Sequence, residues 1–345
     1  MPDWLFWILA FVFGPMPIVG GSIVGFYLYY RWRHLDKITR IFEEKPLFII
    51  PRGQPVPGAE DVRIPTAGGL ALHGCYLPTP APLRRGVVLF GLEFGSNRWS
   101  CVPYCEKLLL AGYDVFACET RNQGDSDRDA HYEPLQWITD RDLADMRAAV
   151  RYLLARSDAH PDGIGIFGVS KGGGLGLMLA AEEPRVRCVA TDGAFATYGT
   201  VVPFMRRFVT IYFKNRERIR MLIPDWFYGL LGSAAIRQVE KKRGVEFVPV
   251  EKAVRKIRRP MFMIHGGGDT YITPEMAQNL CNDAKRAKVK ELWVVPKAKH
   301  NQAILTAADE YHARVVAFFD LHLASISVDA MTETVPGSAV LAALK

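Results

Sequence analysis

The sequence has few cysteines, and their positions exclude two common types of stabilisation. The six cysteines among 345 residues form no C-x-x-C pair and show none of the spacing typical of zinc sites or disulfide frameworks. They are scattered through apolar segments, at Cys75, Cys101, Cys105, Cys118, Cys188 and Cys281. We therefore expect small buried thiols in a reducing compartment and no metal site.

The amino-terminal part has no charged residue from Trp4 to Tyr30. This stretch is longer than the ~20 apolar residues that cross a bilayer as a helix, and aromatic residues at both of its ends are typical of membrane interfaces. The first three residues contain no Lys or Arg, which argues against a cleaved signal peptide. The sequence therefore predicts a single membrane-spanning helix within residues 1–40, and a re-entrant hairpin broken at Pro15 and Pro17 is the alternative.

Basic residues follow this stretch directly, at Arg31, Arg33, Lys37 and Arg40. The positive-inside rule then predicts that the rest of the chain lies on the cytoplasmic side of the membrane. A second basic region covers residues 206–259, where 15 Arg and Lys oppose 5 Asp and Glu within a chain of net charge +7. This region is expected either to attract anionic lipid headgroups or acidic substrates, or simply to form solvated helix faces.

No recognised nucleic-acid-binding motif accompanies the basic region, so a nucleic-acid partner is not expected.

A proline-rich stretch over residues 41–60 predicts an extended linker. After it, eight short apolar runs alternate with helical patterns: DVRIPT, LALHGCYL, GVVLFG, YDVFACE, GIGIFG, VRCVATD, PMFMIHG and ELWVVP. The alternation predicts an α/β fold over residues 61–323, with a mostly parallel sheet covered by helices on both faces.

One long stretch interrupts the alternation, at about residues 196–257, and is rich in Arg and aromatic residues. We expect it to form a helical lid inserted into the α/β domain. Residues 324–345 lose the periodicity and are expected to form a flexible tail.

The stretch GIGIFGVSKGGG at residues 163–174 fits two signatures. As G-x-G-x-x-G it would bind a dinucleotide, with Asp192 at the position of a ribose-binding acid. That function requires the glycines to follow the strand, whereas Gly163 and Gly165 fall within the predicted strand. The pattern therefore disfavours dinucleotide binding, and no cofactor is expected.

As G-x-S-x-G, the same stretch predicts a nucleophile, Ser170, at a sharp turn between a strand and a helix. Bulky side chains at Gly168 and Gly172 would collide across such a turn. The backbone N–H of Lys171, at the start of the helix, is then placed to donate to a developing oxyanion. A serine that is only a turn residue is the alternative.

A serine nucleophile needs a histidine to accept its proton and a carboxylate to orient that histidine. Asp269 follows the strand PMFMIHG, and His300 follows the strand ELWVVP, so both are predicted on loops beyond strand ends. Asp192 is the rival acid. A helix-capping role for Asp269 and a surface-loop position for His300 are the alternatives.

The chain order Ser, Asp, His and these positions resemble the α/β-hydrolase fold family of serine hydrolases, which are built on an eight-stranded sheet. The loop GLEFGSNRW after the third strand is similar to the oxyanion loop of that family, and the resemblance implies that the Phe94 N–H is the second oxyanion donor. Leu92 and Glu93 depart from the His-Gly often found there. The HGGG stretch at residues 265–268 resembles another oxyanion motif, but it lies after the nucleophile, so His265 is expected to be structural.

These observations predict a membrane-anchored serine hydrolase without cofactor or metal. It would form an acyl-enzyme on Ser170, with His300 as general base and then acid, Asp269 as the orienting carboxylate, and the N–H groups of Lys171 and Phe94 as oxyanion donors. The expected substrate is a small-molecule or lipid acyl ester or thioester, with membrane lipids as partners of the anchor and of the basic lid. A peptidase of the same fold and a catalytically silent interaction module are the alternatives.

Overall fold

The computed structural model describes Trp4, Trp7 and residues 16–43, 52–212 and 223–324. The described strands are β1 Glu60–Pro65, β2 Ala71–Leu77, β3 Gly86–Gly91, β4 Tyr113–Cys118, β5 Ile164–Val169, β6 Val186–Asp192, β7 Met261–Gly266 and β8 Lys290–Val295. The described helices are α1 Met16–Glu43, α2 Val102–Leu110, α3 Asp140–Ala155, α4 Lys171–Glu182, α5 Val201–Tyr212, α6 Asp225–Arg243, α7 Val250–Val254, α8 Pro274–Asp283, α9 Ala303–Thr306 and α10 Ala308–His322.

The strands form one sheet in the order β1-β2-β4-β3-β5-β6-β7-β8. Strand β2 is antiparallel to both of its neighbours, and all other pairs are parallel. The eight apolar runs of the sequence coincide with these strands, so the predicted eight-stranded, mostly parallel sheet is confirmed. Parallel pairing places the carboxyl ends of β3, β5, β7 and β8 along one edge of the sheet, where the loops that follow them can meet.

The central strands are buried on both faces, because helices cover each side of the sheet. Every residue of β3 is buried, and its side chains alternate between the two faces. Val87 and Leu89 pack in one core with residues of α3 and α4, whereas Val88 and Phe90 pack in a second core with residues of α2 and α10. Burial on both faces explains why these strands are continuous apolar runs rather than alternating patterns.

A third core lies between helices α1, α5 and α6, which we call the helical cap. Trp137 is at its centre, with ring centroids 5.5 Å from Phe42 of α1 and 5.6 Å from Phe204 of α5. The described residues between β6 and β7 include three helices, α5, α6 and α7, which is the region predicted as a helical lid. Residues 213–222 of that region lie outside the described residues.

The predicted membrane-spanning helix, and with it the predicted membrane localisation, is wrong. Within the described part of the chain, no helix is long and apolar enough to cross a bilayer. Helix α1 continues beyond Tyr30 with Arg31, Arg33 and Asp36, charged residues that a segment inside a bilayer would have to bury at a cost. The carboxyl half of α1 instead buries Ile38 and Phe42 in the helical cap.

The remainder of the predicted span, residues 5–6 and 8–15, lies outside the described residues, as do residues 44–51 of the predicted linker and 325–345 of the predicted tail. Helix α1 extends to Glu43, so the first residues of the predicted linker are helical. The Glu43 carboxylate accepts hydrogen bonds from Lys242 at 3.0 Å and from Arg243 at 2.9 Å. These ion pairs connect the end of α1 to the last turn of α6.

Candidate active site

Ser170 lies at the sharp turn between β5 and α4. Its backbone has φ 52° and ψ −116°, a conformation that non-glycine residues rarely adopt and that stores strain. The turn is held by the Ser170 N–H, which donates to the main-chain oxygen of Asp192 at 2.7 Å. The conformation places the serine at the tip of a strand-turn-helix unit, as the G-x-S-x-G pattern predicts.

Three glycines allow this turn to form. A Cβ atom on Gly172 would lie 2.2 Å from the main chain of Gly91, and a Cβ atom on Gly168 would lie 2.4 Å from the Gly172 carbonyl oxygen. Both distances are far below van der Waals contact. The backbones of β3, β5 and α4 therefore meet directly here, and the loop that follows β3 is brought beside Ser170.

His300 lies on the loop between β8 and α9, next to Ser170. Its Nε2 atom is 3.1 Å from the Ser170 Oγ atom, and its Nδ1 atom is 2.6 Å from the Asp269 Oδ2 atom. The three side chains thus form a continuous hydrogen-bonded chain, although they come from loops after three different strands. A neutral imidazole that donates from Nδ1 to a carboxylate presents a free lone pair at Nε2, which can accept a proton from the hydroxyl.

Asp269 is fixed in position by its own loop. Its Oδ1 atom accepts hydrogen bonds from the N–H groups of Tyr271 at 2.8 Å and Ile272 at 2.9 Å, which leaves Oδ2 directed at His300. His265 donates from Nε2 to the Ile272 carbonyl oxygen at 2.8 Å, and burial lowers its pKa. A neutral His265 that bonds to the backbone supports the structural role expected for it.

The two residues predicted to supply the oxyanion donors come from the chain segments that meet at the close glycine contact, since Lys171 precedes Gly172 and Phe94 follows Gly91 by three residues. Lys171 is the first residue of α4, so its N–H has no partner within that helix. Phe94 lies in a turn after β3, in which the Ser96 N–H donates to the Glu93 carbonyl oxygen at 3.3 Å and Gly95 has φ +77°. Because Gly91 contacts Gly172, this turn faces the start of α4.

Glu93 is buried beside His300 rather than exposed on the loop. Its Oε2 atom accepts a hydrogen bond from the Asn301 amide at 2.9 Å, and its Oε1 atom has no hydrogen-bond partner among the described residues. Burial raises the pKa of this carboxyl group, and the Asn301 hydrogen bond and the nearby His300 oppose that shift. The departure from the family pattern therefore adds a second acidic group to the surroundings of the histidine.

Asp192, the rival acid, is fully buried under the site. Its Oδ2 atom accepts a hydrogen bond from the Tyr311 hydroxyl at 3.0 Å. Burial raises its pKa to about 7, opposed by the Tyr311 hydrogen bond and His300 and reinforced by Glu93 and Asp269. A carboxyl group in this position is not accessible to the ribose of a dinucleotide.

Gly165 lies within β5, where a side chain would collide with Phe319 and Leu323, so packing accounts for this glycine.

Sequence reasoning missed Tyr271 and Gln136. The Tyr271 ring lies edge-on to the His300 imidazole, with centroids 5.7 Å apart, and its hydroxyl donates to the Gln136 Oε1 atom at 2.6 Å. Gln136 belongs to the segment before α3, which is distant from Asp269 in the sequence. The only sequence signal for Tyr271 was its position two residues after Asp269.

In the described ranges, no group of three His, Cys, Asp or Glu side chains is arranged to hold a metal ion.

This fold is of the α/β-hydrolase class. Matches to family models agree with that class: residues 142–303 match the model described as "BAAT / Acyl-CoA thioester hydrolase C terminal", and residues 74–206 match the model of the "Dienelactone hydrolase family". Among solved structures, the esterase Pf2001 of Pyrococcus furiosus superposes with a TM-score of 0.60 at 22% identity, over 82% of this chain and 98% of that chain. This likeness shows the fold.

Two sequence relatives extend the comparison. The uncharacterized protein YfhR of Escherichia coli O157:H7 is 24% identical over 266 residues, which cover 75% of this chain and 80% of YfhR. The mitochondrial acyl-coenzyme A thioesterase 2 of Rattus norvegicus is 26% identical over 194 residues, 55% of this chain but only 39% of that protein. The chain therefore spans about two fifths of the thioesterase. The family-model matches and the thioesterase relative together support a serine hydrolase of the esterase or thioesterase kind.

Proposed function

We propose that the chain hydrolyses an acyl thioester or ester through an acyl-enzyme on Ser170. The observation that supports this most directly is the hydrogen-bonded chain from the Ser170 Oγ atom through the His300 imidazole to the Asp269 carboxylate. A serine hydroxyl at a strained turn becomes nucleophilic when such an imidazole accepts its proton. The thioester is favoured because the longer of the two family matches, over residues 142–303, is to acyl-CoA thioester hydrolases.

In the acylation step, the Ser170 Oγ atom bonds to the acyl carbon while its proton moves to the His300 Nε2 atom. The carbonyl oxygen becomes an oxyanion that accepts hydrogen bonds from the N–H groups of Lys171 and Phe94. As the tetrahedral intermediate collapses, the bond to the leaving thiol or alcohol breaks, and His300 returns the proton to it. Asp269 keeps the imidazole oriented throughout.

Deacylation repeats these steps with water as the nucleophile. His300 accepts a proton from water, the hydroxide oxygen bonds to the acyl carbon, and the second tetrahedral intermediate releases the carboxylic acid as the proton returns to the Ser170 oxygen. No cofactor takes part in this scheme. Each bond that forms or breaks is therefore assigned to Ser170, His300, water or the substrate.

A cation at the acid loop favours a substrate with an anionic leaving group. The exposed Arg207 donates from its guanidinium to the Thr270 carbonyl oxygen at 2.9 Å, directly after Asp269. Burial raises the pKa of the neighbouring Tyr271 to about 12, and this shift is opposed by the hydrogen bond to Gln136 and by the charge of Arg207. A coenzyme A thioester carries phosphate groups that such a charge would attract. Arg207→Gln should therefore raise KM for a coenzyme A thioester more than for the matching neutral N-acetylcysteamine thioester.

The test of the proposed function combines active-site labelling with turnover. A fluorophosphonate probe should label the wild type and the control variant Ser157→Ala, in which an exposed serine is removed, but should not label Ser170→Ala. Turnover is measured with a thioester, an ester and an anilide of the same acyl chain. Equal labelling of the wild type and Ser170→Ala would contradict the proposal.

The substrate panel also discriminates among the alternatives. A serine hydrolase of the proposed kind turns over the thioester and the ester, and His300→Ala abolishes both activities. Preference for the anilide would indicate a peptidase of the same fold. Absence of turnover on all three substrates, despite a folded protein, would favour the catalytically silent interaction module.

A further inference from the structure

The side chain of Lys171, the residue after the proposed nucleophile, is buried together with its charge. Its Nζ atom lies 2.8 Å from the Asp142 Oδ1 atom and donates to the Leu135 carbonyl oxygen at 2.7 Å. Only 5% of the Lys171 side chain is exposed, and the Asp142 side chain is completely buried. A surface lysine next to the turn would show none of these contacts.

Asp142 is itself held rigidly at the start of α3. Its Oδ2 atom accepts hydrogen bonds from the Thr139 N–H at 2.9 Å and the Thr139 hydroxyl at 2.8 Å, and its Oδ1 atom accepts one from the Tyr132 hydroxyl at 3.0 Å. Thr139 caps α3 in return, so the two residues form a capping box. The carboxylate that accepts a hydrogen bond from the ammonium group is therefore held in position by its own neighbours.

The same ammonium group also faces the oxyanion loop. The Lys171 Nζ atom lies 5.7 Å from the centroid of the Phe94 ring, within the range of a cation–π interaction. Phe94 is the residue whose N–H is the second proposed oxyanion donor. The Lys171 side chain thus contacts the residue that carries one donor, while its own main chain carries the other.

A buried ion pair is a poor means of stabilising a fold, because apolar side chains of similar size often stabilise it as well or better. Its position between the two proposed donors points instead to a role in their geometry. We propose that Lys171 is a positioning residue: its ammonium group, fixed by Asp142 and Leu135, holds the Phe94 ring and thereby keeps the Phe94 N–H beside the Lys171 N–H. This role rests on the proposed function, in which both N–H groups stabilise an oxyanion.

The test compares an oxygen ester with the thionoester of the same acid and alcohol. A developing thiolate-like sulfur accepts hydrogen bonds more weakly than an oxyanion, so damage to the oxyanion donors lowers the ester-to-thionoester ratio of kcat/KM. Lys171→Met should lower kcat for the oxygen ester about tenfold, a fraction of the loss seen when a whole donor is removed. KM should stay within about twofold, and the ratio should fall several-fold.

Two further variants allow for a Lys171→Met protein that does not fold, since that substitution leaves a buried carboxylate unpaired. The double variant Lys171→Met with Asp142→Asn removes both charges, and Phe94→Leu removes the ring but keeps the ion pair; both should lower the ratio. The matched control is Arg147→Met, which removes another ion pair between α3 and α4, the exposed one with Glu182 at 2.6 Å. It should leave the ratio unchanged.

The outcomes separate this role from the proposed function. An active wild type whose Lys171 and Phe94 variants lose the same factor on both substrates, or lose nothing, would overturn the positioning role and leave the function intact. A wild type that turns over neither ester and is not labelled at Ser170 by fluorophosphonate would overturn both.

Discussion

Three buried carboxyl groups, those of Asp269, Asp192 and Glu93, lie near the His300 imidazole, and the surroundings of the first two give them different properties. Asp269 receives two backbone N–H groups on one oxygen and His300 on the other. Asp192 receives only the Tyr311 hydroxyl, and its Oδ1 atom has no hydrogen-bond partner in the described ranges. The first environment orients a carboxylate toward the imidazole, whereas the second favours a neutral carboxyl group.

Matched asparagine variants of these two residues test the assignment of the acid. Asp269→Asn should lower kcat about 10³-fold to 10⁴-fold, because an amide does not hold His300 in the tautomer that accepts the serine proton. Asp192→Asn should keep kcat within a few-fold, because its side chain bonds to Tyr311. Steady-state turnover of a chromogenic ester measures both. A larger loss in Asp192→Asn than in Asp269→Asn would reverse the assignment.

The raised pKa of Asp192 makes the stability of the folded protein depend on pH. An unfolded Asp has a pKa near 4, and the folded value is about 7, so between these values the folded state binds more protons than the unfolded state. The contribution of Asp192 to the free energy of unfolding is therefore fully present below about pH 4 and is lost as the pH rises to about 7.

We expect this loss to be at most about 4 kcal/mol. Asp192→Asn cannot ionise, so its stability relative to the wild type should increase from pH 4 to pH 7 and then level off. Urea unfolding of both proteins at several pH values measures the difference. A difference that stays constant over this range would show that Asp192 is ionised in the folded protein throughout.

At the scale of elements, the strand-turn-helix unit formed by β5 and α4 depends on backbone contact with β3. The main chains of Gly91 and Gly172 approach so closely that neither position accommodates a Cβ atom. This contact places the Phe94 turn beside the start of α4. The packing of these elements therefore also determines the geometry of the site. A methyl group at this contact should therefore affect both stability and activity.

Gly172→Ala is expected to destabilise the fold by about 1–3 kcal/mol, the usual cost of inserting a methyl group into close-packed surroundings. Because the strain falls between the two proposed oxyanion donors, kcat should fall at least tenfold in the protein that remains folded. Gly68→Ala is the control, since a Cβ atom there meets only the Thr66 side chain at 4.0 Å. Thermal unfolding and ester turnover are measured together. Normal kcat in a folded Gly172→Ala would contradict the role given to this contact.

At the scale of the whole molecule, the sheet could be predicted because buried parallel strands are continuous apolar runs that the sequence displays directly. The order of Ser170, Asp269 and His300 was visible for a related reason, since each follows a strand end. The pairing of Glu93 with Asn301, or of Lys171 with Asp142, left no local trace. Such pairs form between residues that are far apart in the sequence and come together only in the folded chain. The spacing of apolar residues along the sequence does not show which of them meet.

The amino-terminal helix shows the opposite problem, a strong local signal with two physical explanations. An apolar stretch rich in aromatic residues fits a bilayer, but its carboxyl end also packs on another helix, where Tyr27 and Tyr30 contact Phe227 of α6. The charges after Tyr30 did not discriminate, because the buried residues Ile38 and Phe42 alternate with them along α1. The structure gives these residues partners in the helical cap, including the Phe42 contact with Trp137.

If α1 is an integral part of the fold, removing one of its buried side chains should lower the free energy of unfolding of the whole protein. Phe42→Ala is expected to cost about 3–5 kcal/mol in the free energy of unfolding, because it leaves a cavity against Trp137. Trp32→Ala on the same helix is the control and should change it by no more than about 0.5 kcal/mol, since Trp32 is 81% exposed. Urea unfolding followed by tryptophan fluorescence measures both. Equal stability of the two variants would mean that α1 does not contribute to the core in solution, whereas the predicted difference would show that the packing of α1 on the helical cap stabilises the folded protein.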